Sequence, residues 1–243
     1  MRTPPQPPRP PGPPPRGPTP PRGPTPPKAG PPPRPTVKPT AARPRPPRKL
    51  PAWLARAQRL LFQPTQEWAT LAPEFTSAGP IYSRFLIPMT AIGPIAATVG
   101  ALLFDGERGS ALTFGVVPVK LGTAVQAGVL EFVLNLVGVY ALAVAIDAIG
   151  AWVGGQRNRV QALKVAAYGT TPYWLAGAFA VFPRIEPLGM LIGLYSIRLF
   201  AAGLPPVMKA PRDRTAAYTL LTSIAAGLIV LIITAIITYL VVT

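Results

Sequence analysis

The sequence contains no cysteine and no histidine. Without cysteine there is no disulfide, no thiolate nucleophile and no Cys-ligated zinc or iron–sulfur site. Without histidine the commonest general base and metal ligand is missing. Acids are scarce as well: eight Asp+Glu stand against 24 Lys+Arg, a formal net charge of +16. They are also scattered. Asp105 and Glu107 share a loop, and Glu131 and Asp147 lie 16 residues apart, so no carboxylate pair has useful spacing for acid–base work or a metal. There is no GxSxG nucleophile motif. No catalytic residue, cofactor site or metal site is expected, and the chain reads as non-enzymatic. The first residues also lack the short apolar core of a secretory leader, so no cleaved leader is expected.

Proline and long apolar runs are what the chain has in excess, in separate places. Residues 1–51 hold 24 of the 36 prolines and 11 of the 24 Lys+Arg, with no acid. RGPTPP occurs at Arg16–Pro21 and again at Arg22–Pro27. Each proline fixes φ and lacks an N–H, so this tail favours extended polyproline II, cannot build a core and is expected to be disordered. It fits a semi-rigid spacer, a ligand for aromatic-grooved domains, a polycation on anionic lipid headgroups, or simply a solvated tail. About 11 charges beside an anionic leaflet would each contribute roughly 1 kcal/mol when close to it. With no aromatic residue to stack on bases, the tail is not expected to bind nucleic acid. Residues 52–82 form a connector in which Trp53, Leu54, Leu60, Leu61 and Phe62 alternate with Arg56 and Arg59. That pattern suits a short amphipathic helix ended by Pro64, lying at the interface or packed on the membrane domain.

From residue 83 onward the chain reads as an all-α membrane domain. A crossing helix needs about 20 apolar residues. Five runs qualify: 85–104, 121–149, 165–183, 187–208 and 216–242. The second would be two spans only if it turned back within itself. It has no proline and no turn-like pair before Gly154-Gly155, so it reads as one. Loop charges supply an independent test through the positive-inside rule. Loops carrying Arg157, Arg159 and Lys164, and then Lys209, Arg212 and Arg214, alternate with near-neutral loops at Asp105–Arg108 and Arg184–Glu186. This predicts five spans in a cytoplasmic (inner) membrane, N-terminus inside and C-terminus outside, with the basic loops facing anionic headgroups.

Two features inside the spans demand a reason. Tyr168-Gly169-Thr170-Thr171-Pro172 interrupts the third run. Pro172 frees a carbonyl near Tyr168, Thr170 and Thr171 can bond nearby backbone, and Gly169 allows another helix to approach. It reads as a packing joint, or else as a broken helix of the transporter kind, although no second copy of the motif exists. The intramembrane charges Glu131, Asp147 and Arg198 need partners. Glu131 and Arg198 lie at matching depth, about 15 Å in, and are expected to pair, with Asn135 one turn from Glu131 in the same network. Asp147 lies within reach of Arg157, Arg159 or Lys164. A structural ion pair and a proton or ion relay both fit. Gly122, Gly128 and Gly138 in the second run allow close helix contacts, including homo- or hetero-oligomers.

Three stretches carry a resemblance. LFQPTQEWATLAPE (Leu61–Glu74) has Pro64, Trp68 and Glu74 ahead of the first span. GGQRNRVQALKVAAYGTTPYWLAG opens on Gly154 and Gly155. LYSIRLFAAGLPPVMKAPRDRTAAY contains Gly203 and Leu204. Together they resemble the Yip membrane-protein family in its bacterial form, over roughly residues 60–242. The resemblance implies a five-span helical fold with a cytoplasmic N-terminal region and complexes among members. Eukaryotic members are tied to vesicle trafficking and prenylated Rab-type GTPases. The bacterial form lacks that machinery, so Rab binding does not carry over. The expected role is membrane organisation or partner and lipid interaction, the alternative being a transporter or channel component that uses Glu131, Asp147 and the Thr-Pro break.

Overall fold

Proline and glycine set most of the helix boundaries. The computed structural model describes residues 50–110 and 115–242, with Gly12 and Gly17. The tail expected over residues 1–51 lies almost wholly outside them. Helix α1 (Ala52–Phe62) ends at Gln63, and Pro64 starts α2 (Pro64–Leu71) at a position where no N–H is needed. Next comes an apolar rod, Ala78–Leu103. It is built from α3 (Ala78–Ile81), a π turn (Tyr82–Leu86), α4 (Ile87–Thr90) and α5 (Ile92–Leu103). It starts seven residues before the expected span because the helix runs through Arg84, whose exposed side chain leaves the apolar face intact. Strands β1 (Glu107–Ser110) and β2 (Gly115–Pro118) then form a hairpin that pairs Arg108 with Val117. This hairpin was not expected, since strands of only four residues each are too short for their alternation to be read.

Helix α6 (Leu121–Val153) has 33 residues. At 1.5 Å per residue it is about 50 Å long, so it projects well beyond a hydrocarbon core of about 30 Å. It stops where Gly154 turns left-handed at φ 79°. Asn158 then caps α7 (Arg159–Gly169), accepting from the N–H groups of Val160 and Gln161 at 3.1 Å. After α8 (Thr171–Ala176) and a 3-10 turn (Gly177–Val181), α9 (Glu186–Gly193) and α10 (Ser196–Met208) form a second rod, and α11 (Thr215–Val242) completes the chain. Gly154→Ala forces a side chain into the left-handed region and will lower stability by about 1–2 kcal/mol. Thermal unfolding in detergent will show this, while Gly122→Ala, where an added Cβ meets nothing within 4 Å, will leave the midpoint unchanged or raise it.

Among the described residues, four helices are long and apolar enough to cross a membrane: Ala78–Leu103, Leu121–Val153, Glu186–Met208 and Arg212–Leu240. The expected third span, 165–183, is not among them. Pro172 and the threonines before it divide that run into α7, α8 and the 3-10 turn, none of spanning length. The divided segment nonetheless joins opposite ends of the bundle. Behind it, the Gln156 N–H donates to Met208 O at 2.8 Å, placing the 154–158 loop at the end of α10. Ahead of it, Arg184 pairs with Glu107 of the hairpin at 3.2 Å.

The main core lies where α2, α6, α7 and α10 meet. Trp68, Leu71, Ile146, Leu199 and Leu204 are fully buried there. Tyr168 stands edge-on to Phe85, with ring centroids 4.6 Å apart, and to Trp68 at 6.5 Å. The connector helices are therefore packed into the bundle: Trp68 covers Gly203, where an added Cβ would lie 2.6 Å from the indole.

Candidate functional site

Helix α6 carries Glu131 into the interior, and the hairpin supplies its cation. Arg108 is 6 % exposed, and one guanidinium nitrogen pairs with Glu131 Oε2 while another donates to Ala124 O at 3.4 Å. The expected Glu131–Arg198 pair does not form. The difference lies in rotation about the helix axis. Leu199, Phe200, Gly203 and Leu204 take the core-facing stripe of α10, which turns Arg198 outward, where it is exposed. Glu186, in the first turn of α9, closes the same corner. An added Cβ at Gly109 would run into its carboxylate, and its Oε2 is buried without a hydrogen-bond partner among the described residues.

These groups line a cavity of about 120 Å³. It adjoins a second cavity of about 190 Å³, and both share Asn135, Tyr173, Trp174, Met190, Val230 and Ile233. Together they make a groove between α6, α8, α9, α10 and α11. It is charged under the hairpin and apolar towards Leu142 and Phe200. Asn135 lines it one turn along from Glu131. Glu186 and the Arg108 pair went unpredicted because both sit in segments that read only as outer loops.

The other acid of α6 sits at its opposite end. Asp147 faces Arg159 at 3.4 Å and Arg157 at 4.0 Å. Lys164 does not reach it. Lys164 is 1 % exposed, and its ammonium donates to Leu71 O at 3.0 Å and to Glu74 O, closing the C-terminal end of α2. It is thus unavailable to lipid headgroups, whereas Arg157, Arg159, Lys209, Arg212 and Arg214 are exposed. Around it, Arg56 pairs with Glu74 at 3.0 Å and donates to the Tyr168 hydroxyl at 3.1 Å, and Arg59 pairs with Glu67 at 2.6 Å. Burial disfavours the Arg56 cation, but Tyr168 and Glu74 together hold its pKa above the ordinary arginine value.

At the helix break, Thr171 Oγ1 donates to Tyr168 O at 2.7 Å, Thr170 Oγ1 donates to Ala166 O at 2.7 Å, and Gly169 lies against the Phe200 ring. Pro172 sits in the first turn of α8, where its missing N–H is tolerated. Every exposed carbonyl named here is thereby covered, as a packing joint requires. Thr171→Val removes one of two hydrogen bonds to the Tyr168 carbonyl, which also accepts from the Thr170 N–H, and will cost about 0.5–1.5 kcal/mol in detergent unfolding, whereas Thr171→Ser will cost much less.

Of Gly122, Gly128 and Gly138 in α6, Gly128 is covered by Thr98 and Gly138 by Ile233, each at 2.9 Å from an added Cβ. Both serve contacts within the chain, and only Gly122 stays open. Among the described residues no three acidic side chains cluster as metal ligands.

The resembling stretches also meet in space. Pro64 starts the helix that sets Trp68 on Gly203, beside the buried Leu204. Glu74 joins Arg56 and Lys164. Gly154 makes the turn after α6, and Gly155 passes close to Met208 O. The family model described as Yip1 domain matches residues 59–234. No curated protein and no solved structure matches. The match takes in well over half of the sequence, three of the helices of spanning length and most of the fourth, so the chain is an integral membrane protein that belongs to the Yip1 domain family.

Proposed function

We propose that the protein is a non-catalytic Yip-type membrane protein that organises the membrane by holding lipid and partner proteins. The supporting observation is the groove itself, an interior cavity with a charged end and an apolar wall in a bundle of apolar helices. We further propose that 159–181 crosses the bilayer as a broken fifth span. Its support is the join it makes between Gln156, held at Met208, and Arg184, held at Glu107. On this reading the exposed Arg157, Arg159, Lys209, Arg212 and Arg214 share the cytoplasmic side of an inner membrane, and the hairpin faces out. The basic tail would then sit beside anionic headgroups, adding attraction that falls as salt rises.

In-membrane crosslinking with mass spectrometry, comparing the full chain with one lacking residues 1–50, tests this function. A protein or anionic-lipid adduct that requires the tail is the expected result. Crosslinks only between copies of the chain, equal in both forms, would sink the proposal.

A further inference from the structure

Helices α1 and α2 form a hairpin that enters the bundle and returns. Near its tip, Leu61 O accepts from the Tyr195 hydroxyl at 2.9 Å. Past the far end of α2, Leu71 O and Glu74 O hold Lys164, early in α7. Between these points Trp68 covers Gly203, so α2 runs alongside α10. Glu67 of α2 pairs with both Arg56 and Arg59 of α1 and ties the two arms together. The rod Glu186–Met208 has 23 residues, about 34 Å, hardly more than a hydrocarbon core of about 30 Å, so Met208 stands near one boundary. Tyr195 is 13 residues from it, about 20 Å in. The tip of the hairpin therefore reaches about the middle of the bilayer.

The outward face of this hairpin is polar. Of its eight exposed residues between 58 and 70, six are Gln58, Arg59, Gln63, Thr65, Gln66 and Thr70. Arg198, one turn along α10 from Tyr195, stands beside them, exposed and with no carboxylate partner among the described residues. Helix α11 differs at the same depth. Met208 O and the Tyr218 ring both lie beside Gly155, so Arg198 and Leu228, each ten residues from one of them, are equally deep, about 15 Å. No exposed residue of α11 from 220 to 236 carries a polar side chain.

Acyl chains cannot satisfy such a face, and a bare guanidinium at this depth is costly unless it reaches polar partners. The occupant must supply anionic acceptors. The basic tail would bring like charge to Arg198, and a second copy docked two-fold on this face would crowd the Arg59 and Arg198 cations together. A phosphate suits a free guanidinium, which offers it paired N–H donors, and the Gln amides and Thr hydroxyls can donate to neighbouring headgroup oxygens. We propose that phospholipid headgroups of the leaflet on the Met208 side are drawn down onto the hairpin face, with a phosphate on Arg198, so that this leaflet is thinned beside the protein. A bilayer adapts in this way to a short apolar flank. The contact adds to the proposed function and depends neither on the groove nor on the crossing of 159–181.

The test is fluorescence quenching of the full-length protein, carrying Gln66→Cys, Leu228→Cys or Leu188→Cys labelled with a small fluorophore. Each is reconstituted in vesicles of phosphatidylcholine and phosphatidylglycerol, with a nitroxide on some of the phosphatidylcholine, either at the headgroup or at mid-chain. Gln66→Cys will be quenched at least threefold more by the headgroup nitroxide, and Leu228→Cys at least threefold more by the mid-chain one. Leu188 lies 20 residues from Met208, near the other boundary, so headgroup quenching of Leu188→Cys excludes a tilt of the whole bundle. Adding Arg198→Met to Gln66→Cys will at least halve the headgroup quenching, and adding Arg198→Lys will retain most of it. The inference is overturned if Gln66→Cys behaves as Leu228→Cys does, or if neither nitroxide quenches it because protein covers the face. Mid-chain quenching of Leu188→Cys, or no change with Arg198→Met, would overturn it equally. Tail-dependent crosslinks do not involve this face, so they can persist when it holds no headgroup and keep the broader function standing.

Discussion

Trp68→Ala will lower the unfolding free energy of the purified protein by about 3–5 kcal/mol, the usual range for deleting a buried Trp or Phe. Trp68 is fully buried, and its ring covers Gly203 on α10 while standing edge-on to Tyr168 on α7. Removing it leaves a void at the point where the connector helices join the bundle. The indole Nε1 has no hydrogen-bond partner among the described residues, so the ring acts by packing. Trp68→Phe will therefore cost far less. Gly203→Val attacks the same contact from the other side and will also destabilise, because the indole cannot yield into a filled core. Phe62, on the preceding helix, is 77 % exposed, and its truncation will stay within about 0.5 kcal/mol. Denaturant unfolding in detergent, followed by helicity, checks all four. Equal losses for Trp68→Ala and Phe62→Ala would show that α1 and α2 are not held as described.

Arg108→Met will also be damaging, at about 3–5 kcal/mol, since it leaves the part-buried Glu131 unpaired. Arg198→Met will change stability by no more than about 0.5 kcal/mol, as befits an exposed side chain. The reciprocal exchange, Arg108→Glu with Glu131→Arg, will recover part of the loss of either single change, measured as a double-mutant cycle. If Arg198→Met proved as costly as Arg108→Met, the partner assigned to Glu131 would be wrong.

The contrast between these two arginines marks what the sequence could convey. Runs of apolar residues marked the rods, and Gly154 and Pro64 marked ends, because these follow from local backbone chemistry. Rotation about a helix axis was not legible: α6 and α11 carry apolar residues on nearly every side, so no polar face reveals which stripe meets a neighbour. Arg108 was further hidden by its position in a hairpin whose strands are four residues each and whose alternation is too short to read. Lys164 looked like one more basic loop residue. Its burial depends on α2 folding back to present Leu71 O and Glu74 O, a contact spanning about ninety residues of chain. The Thr-Pro break was legible in its chemistry, since a proline in an apolar run must have its freed carbonyl satisfied. Its effect on span length was not, because the broken pieces fall below the length that marks a crossing helix.

The crossing of 159–181 is the point on which the arrangement of both loop sets depends, and the absence of cysteine makes it directly measurable. Single cysteines at Arg157 and Arg184 should be treated with a membrane-impermeant thiol reagent in sealed vesicles of known orientation. Five crossings predict that Arg157→Cys reacts only from the cytoplasmic side and Arg184→Cys only from the opposite side. Labelling of both from one side would mean that the broken segment does not cross, and would contradict the topology outright.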